Sequence, residues 1–243
     1  MRSTLFISDL HLCAERPRGT QLFERFIAET APAAESLYIL GDLFDYWIGD
    51  DQLDCDPLAN TVAQRLKGLA ATGTQVFFMH GNRDFMISQR FAREAGLEIL
   101  ADPTLINIGA TPVLLMHGDT LCTDDVAYQK FRAQVRNPEW QRAMLAKPAP
   151  ERLALAQSIR SQSDVQKSMK AEAIMDVNID AVAAAFQRFG FPVMVHGHTH
   201  RPARHDHLVG GRPCVRWVLQ DWHEVGACLS HTDGAWLATV FDS

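Results

Sequence analysis

The chain reads as an α/β protein, on three observations. Short, wholly apolar runs recur along it, each ending in polar residues; helix-favouring stretches closed by glycine separate them; and the last part changes to alternating strand-like runs. Continuous apolar runs of this length mark strands buried on both faces, and strands that alternate with helices mark an α/β class.

Residues 5–7 run into Ser8 and Asp9, 37–40 into Gly41 and Asp42, and 76–79 into His80, Gly81 and Asn82. Residues 113–116 precede His117, and 193–195 precede His196. Their polar ends are expected to gather along one edge of a sheet. Helices are predicted over 21–28, 57–70 and 88–95, with Gly73 and Gly96 as C-terminal stops. After Gly211 the runs 215–219 and 235–240, with Asp233 and Gly234 as turn residues, predict an antiparallel ending.

Residues 123–189 show no strand signal, and Pro138, Pro148 and Pro150 divide stretches that favour helix. This predicts one domain over 1–243 that carries a helical cap insertion at about 123–189. With 243 residues, 47% of them apolar, a sizeable core is expected.

No run reaches spanning length, and five widely spaced cysteines without a C-x-x-C pair fit a reducing cytoplasm. A net charge of -6 argues against a nucleic-acid partner. The charge is uneven: residues 121–170 hold nine Lys or Arg against five Asp or Glu, a local +4 that leaves -10 elsewhere. An anionic partner is expected at that segment. Nothing in the sequence calls for an obligate protein partner.

The chemistry lies at the strand ends. Asp9 and His11, two apart, can point to one side and grip one ion. Asp42 follows a glycine that lets the backbone approach closely, and its two oxygens can bridge two ions. Asn82 offers a neutral oxygen, His117 an imidazole, and His198 with His200 a second pair two apart. Each alone is unremarkable, since a lone aspartate ends turns and a lone histidine is seldom a ligand. Together they make a mixed nitrogen and oxygen donor set that suits manganese, iron or zinc better than calcium. Asp45, Asp84 and His196 are expected to orient these ligands.

The motifs D-x-H at Asp9, G-D-x-x-D at Asp42, G-N-x-D at Asn82, H-G-D at His117 and G-H-x-H at His198 resemble those of the calcineurin-like metallophosphoesterases. The resemblance implies a two-layered β-sandwich flanked by helices, with two divalent ions, one on Asp9, His11, Asp42 and His200, the other on Asp42, Asn82, His117 and His198. One position departs from the broad superfamily. The residue after Asn82, often a proton-donating histidine, is Arg83. Arginine cannot protonate a leaving group, but its fork suits a diphosphate.

With G-D-L-F-D-Y-W-I-G-D-D, H-G-N-R-D-F, I-M-D-V-N and H-G-H-T-H-R-P, almost the whole chain is similar to the bacterial UDP-2,3-diacylglucosamine pyrophosphohydrolases of lipid A biosynthesis. This implies Mn²⁺-dependent attack of water on the α-phosphorus, with Asp42, Asn82, Arg83 and His117 catalytic. It also implies substrate contacts from Asn82, Arg83, Asp125, Ser163, Lys167, Lys170 and His198. Ser163, Lys167 and Lys170 share a helix face at i, i+4 and i+7. A basic, partly apolar cap predicts a peripheral place on the anionic inner face of the cytoplasmic membrane. A general phosphodiesterase and a non-catalytic scaffold are the competing readings. Arg83 and the long cap argue against the first, and retention of all seven ligands against the second.

Overall fold

A computed structural model describes residues 3–169 and 176–242, and for 161–169 it gives the helical backbone only. Two sheets form the centre. The first has six strands in the order β11-β10-β1-β2-β3-β4, from β1 (Ser3–Ile7), β2 (Ala34–Ile39), β3 (Gln75–Met79), β4 (Glu98–Leu100), β10 (Gly226–Thr232) and β11 (Ala235–Phe241). The second has five, β5-β6-β7-β9-β8, from β5 (Thr104–Ile108), β6 (Thr111–Leu115), β7 (Val193–His196), β8 (Ala203–Val209) and β9 (Arg212–Val218).

Three apolar clusters explain the layering. Phe6, Tyr38 and Met79 of the first sheet meet Val113, Leu115 and Val195 of the second, with Leu40 and Leu219 just past the ends of β2 and β9, which makes the sandwich. On the outer face of the first sheet, Leu5, Ile7, Leu37 and Phe78 pack with α1 (Pro17–Arg25), α2 (Pro57–Ala71) and α3 (Gln89–Ala95). Met194, Val209 and Cys214 of the second sheet pack with Val182 and Phe186 of α7 (Ile179–Arg188). β1, β2 and β3 are therefore covered on both sides, which is why their sequences are continuous apolar runs rather than alternations.

Local signals set the boundaries. Asp56 caps α2 by accepting from Leu58 N (2.9 Å), with Pro57 in the first turn, and α3 stops at Gly96 in the left-handed region. Asp233 and Gly234 both have positive φ between Thr232 and Ala235, which pair with each other, so β10 and β11 close through a two-residue turn of type I′ form. Gly210 and Gly211 do the same between β8 and β9.

Between β6 and β7 the chain forms α4 (Val126–Val135), α5 (Pro138–Leu145), α6 (Ala149–Met169) and then α7. The start of α6 is anchored to the body by Arg152, which is buried. Its guanidinium donates to Ile48 O (2.5 Å) and Asp51 Oδ1 (2.9 Å), and its Nε donates to Lys147 O (3.0 Å).

β1, β2, β3 and β4 run parallel, as do β6, β7 and β9. The carboxyl ends of β1, β2, β3, β6 and β7 therefore open on the same region, where ligands collect in open α/β sheets.

Candidate metal centre

The turns that leave these strands are sharp. Asp9, His11, Asp42, His198 and His200 all have φ between 49° and 69°, five of the seven non-glycine residues with positive φ among the described residues. Left-handed backbone costs about 1 kcal/mol or more per L-residue. Its concentration here marks a site that the surrounding structure holds in place. Trp222 N donates to Asp9 O (3.1 Å), Asp9 N to Gly41 O (3.0 Å) and His11 N to Asp42 O (2.9 Å), so the first two loops are laced together.

Asp9 is wholly buried. Its Oδ2 accepts from Ser8 Oγ (2.6 Å) and from His198 N (2.9 Å), while its Oδ1 has no hydrogen-bond partner. Oδ1 faces His200 Nε2 at 3.4 Å and His11 Nε2 at 4.0 Å, and the two imidazole Nε2 atoms lie 3.3 Å apart. His11 Nδ1, also unpartnered, lies 3.9 Å from Asp42 Oδ2, and His117 Nε2 lies 4.0 Å from the same oxygen. Asp42 Oδ2 thus stands between two groups of donors. Asn82 Oδ1 lies 3.0 Å from His117 Nε2 and 2.9 Å from His198 Nδ1. The structure brings all seven ligand candidates together.

Three details show that the residues fit a cation. His117 Nδ1 donates to Leu40 O (2.9 Å), so in the neutral ring Nε2 is a lone pair, facing the lone pairs of Asn82 Oδ1 at 3.0 Å. Such a meeting of two acceptors calls for a proton or a metal ion at Nε2. Burial opposes protonation of His117, yet the carboxylates of Asp42, Asp119 and Asp9 outweigh it and push its pKa up to about 9. Burial likewise opposes ionisation of Asp9, but His200, His117 and His11 hold its carboxyl well below the usual range. Asp9, His11 and His200 form one ligand group, and Asp9, Asp42 and His117 another, each within the reach of a single ion.

The supporting residues divide. Asp84 Oδ1 accepts from Gly81 N (2.9 Å) and Oδ2 from Leu43 N (2.7 Å), tying the Asp42 loop to the Asn82 loop. Burial, with the charge of Asp42, lifts its pKa to about 7. Asp84→Asn puts an amide NH₂ against one of these N–H groups. The expected loss of stability is ~1–3 kcal/mol, the cost of one buried donor left unmet, read from denaturant unfolding.

Asp45 binds arginines instead of ligands: Arg83 Nη1 at 3.1 Å, Arg16 Nη2 at 3.3 Å, and Arg160 of α6. His196 bonds none of the seven. Its Nδ1 donates to Gly197 O (2.8 Å) and its Nε2 accepts from Arg216 Nη1 (3.0 Å), an arrangement that needs the neutral ring. Burial, aided by the charge of Arg216, lowers its pKa to about 3. The unfolded chain takes up this proton near pH 6.5 and the folded chain only near 3, so stability is lost as pH falls through that interval. His196→Asn is expected to flatten this acid limb in chelator-treated protein, with thermal unfolding between pH 7 and 4 as the measurement.

Arg83 N donates to Asp42 Oδ1 (2.8 Å), and its guanidinium reaches 4.0 Å from Oδ2, so the residue is fixed at the rim of the cluster. Asp125 caps α4, accepting from Tyr128 N (3.1 Å). Ser163 and Lys167 lie on α6 where only the backbone is described, and Lys170 lies outside the described residues.

Sequence reasoning missed several partners. Asp221 Oδ2 lies 3.4 Å from His200 Nδ1 and orients that ring through its outer nitrogen. Asp119 is bonded by Tyr128 OH (2.7 Å) and Arg132 Nε (2.7 Å), and Tyr128 packs on His198 with ring centroids 5.8 Å apart. α4 is thereby tied to the His117 loop. The one sequence signal for these was Asp119 in H-G-D.

Residues 2–202 match the calcineurin-like phosphoesterase family. Among curated proteins, a "UDP-2,3-diacylglucosamine hydrolase" of Aromatoleum aromaticum is 53% identical over 233 residues, 96% of this chain and 94% of its own. Proteins of the same name from Cellvibrio japonicus (51% identical; 93% of this chain, 94% of that one) and Stenotrophomonas maltophilia (51%; 96% of each) are similar throughout. Candidate ligands gathered at the strand ends, a two-sheet sandwich and matches of this length agree: the chain belongs to the calcineurin-like phosphoesterase family.

Proposed function

We propose that this chain hydrolyses the pyrophosphate bond of UDP-2,3-diacylglucosamine, water attacking the α-phosphorus to give UMP and 2,3-diacylglucosamine 1-phosphate in lipid A biosynthesis. The observation that carries the reading is the fixed place of Arg83 beside Asp42, in a chain half identical, end to end, to relatives of that name.

Asp9, His11, Asp42 and His200 would hold one divalent ion, and Asp42, Asn82, His117 and His198 the other. Manganese suits the mixed donors. When bound, such ions supply a nucleophilic water at neutral pH and positive charge against the phosphoryl oxygens. The side chains do the rest. Asp42 sets the spacing of the two groups, Asp221 aims His200, and Asp84 fixes the loops of Asp42 and Asn82. Arg83 binds the diphosphate oxygens as a planar fork, and the leaving sugar phosphate needs no proton from it. Asp125, Ser163, Lys167 and Lys170 complete the contacts to the acylated sugar phosphate from the cap.

Arg83→Ala is expected to lower kcat/KM about 10²-fold, as loss of one charged donor to a reacting phosphate does, and Arg83→Lys to recover only part. The substrate is tested by assaying the manganese-loaded chain against UDP-2,3-diacylglucosamine, UDP-glucose and a simple phosphodiester. Hydrolysis of the first alone is expected, and equal turnover of the phosphodiester would sink the assignment.

A peripheral place at the inner face of the cytoplasmic membrane belongs to the same reading. The +4 segment, with exposed Val126, Leu145 and Leu155 on α4, α5 and α6, supports it. Among the described residues no helix is long and apolar enough to cross a membrane. Binding to anionic vesicles that weakens with salt is expected, and recovery of all the protein free of vesicles at low salt would count against it.

A further inference from the structure

We infer that the chain carries a second oxyanion site, apart from the seven ligand residues, built around Arg216 and shaped to take a phosphate group. Arg216 lies on β9 and is only 4% exposed, yet a guanidinium stays charged under any working condition. Its bonds end on imidazoles: Nη1 donates to His196 Nε2 at 3.0 Å and Nε to His207 Nε2 at 3.3 Å. Neither acceptor is an anion, and among the described residues no carboxylate makes an ion pair with it. A buried charge left so is costly unless a counter-ion arrives.

Arg216 opens on a concave site of about 850 Å³, lined also by Arg201, Arg204, His205 and His207. Two acids stand there, but both are engaged: Asp176 Oδ2 by Arg201 Nη1 at 2.7 Å and Asp206 Oδ1 by Arg204 Nη2 at 2.7 Å. Among the described lining residues three guanidiniums face two carboxylates; the Asp176 charge reaches Arg216 too, but it pairs directly with Arg201, so the buried Arg216 keeps the weaker counter-charge. The Arg216 charge, after burial, holds His205 and His207 below the usual histidine range. Because His207 accepts at Nε2, its Nδ1 carries the hydrogen and can donate. A tetrahedral oxyanion can therefore meet a planar fork and an imidazole N–H together. Arg201 follows His200 in sequence, so the site flanks the ligand loop without using any of its seven residues.

Calorimetric titration of the metal-loaded chain with inorganic phosphate tests this. Two binding events are expected, one at the metal centre and one at Arg216. Asp42→Ala should remove the first and keep the second, and Arg216→Met should do the reverse. Should Arg216→Met fail to fold, Arg204→Glu, an exposed change, should weaken the second event at least tenfold while leaving the first. A nucleoside 5′-monophosphate run in parallel identifies the source of the phosphate, as whichever of the two binds the Arg216 site more tightly. A single event abolished by Asp42→Ala, or two events unchanged in both Arg216→Met and Arg204→Glu, would overturn the inference.

Discussion

Asp42→Ala is expected to reduce hydrolysis by about 10³-fold or more and to lower bound metal from two ions per chain to one or none. Asp42 Oδ2 stands between the two imidazoles, 3.9 Å from His11 Nδ1 and 4.0 Å from His117 Nε2, where it could serve an ion on either side. Metal ions supply several kcal/mol of transition-state charge stabilisation, and each 1.36 kcal/mol is about tenfold in rate. Asp42 also receives Arg83 N at 2.8 Å, so its loss frees the arginine backbone as well. Burial lifts the Asp42 pKa in the absence of bound cation, so the alanine removes a group that is costly to the empty fold. The variant is therefore expected to unfold at the same temperature as the metal-free parent, or above it, while losing activity. Metal analysis alongside the rate separates this from simple unfolding, and full activity with two bound ions would refute the bridging role.

Gly197→Ala should be nearly as damaging, through sterics rather than charge. A Cβ at this position would press against Asp9 Oδ2 and Ser8 Oγ, closer than atoms can pack. Those two atoms bond each other, Asp9 Oδ2 also holds His198 N, and all of them are buried or nearly so, which leaves no direction for relief. Overpacking of this kind costs typically ~1–3 kcal/mol, and here the strain falls on Asp9 and on the loop bearing His198 and His200. A loss of stability of that size, with metal affinity lowered by more than tenfold, is expected from unfolding and metal-competition titrations. Near-normal metal binding would show that the loop has slack.

The site was far more legible than its surroundings. Buried parallel strands must be continuous apolar runs, so residues 5–7, 37–40, 76–79, 113–116 and 193–195 announced themselves, and the candidate ligands that the structure gathers follow directly. The left-handed backbone at Asp9, His11, Asp42, His198 and His200 left no such trace, because aspartate and histidine occupy that region without needing glycine. β8 went unseen: Arg204, His205, Asp206 and His207 give no apolar alternation, and the strand is held by its backbone pairing to β9 at the sheet edge. α1 begins at Pro17 rather than at residue 21, since its first turn is set by proline while the apolar period starts only at Leu22. The gathering of Arg16, Arg83 and Arg160 on Asp45, and of Asp221 on His200, joins segments far apart in sequence, and no local pattern encodes it.

Anomalous diffraction from crystals of the manganese-loaded chain tests the binuclear centre most directly. Two peaks are expected, one against Asp9, His11 and His200, the other against Asn82, His117 and His198, with Asp42 in contact with both. A single ion, or a pair with Asp42 bound to neither, would contradict it.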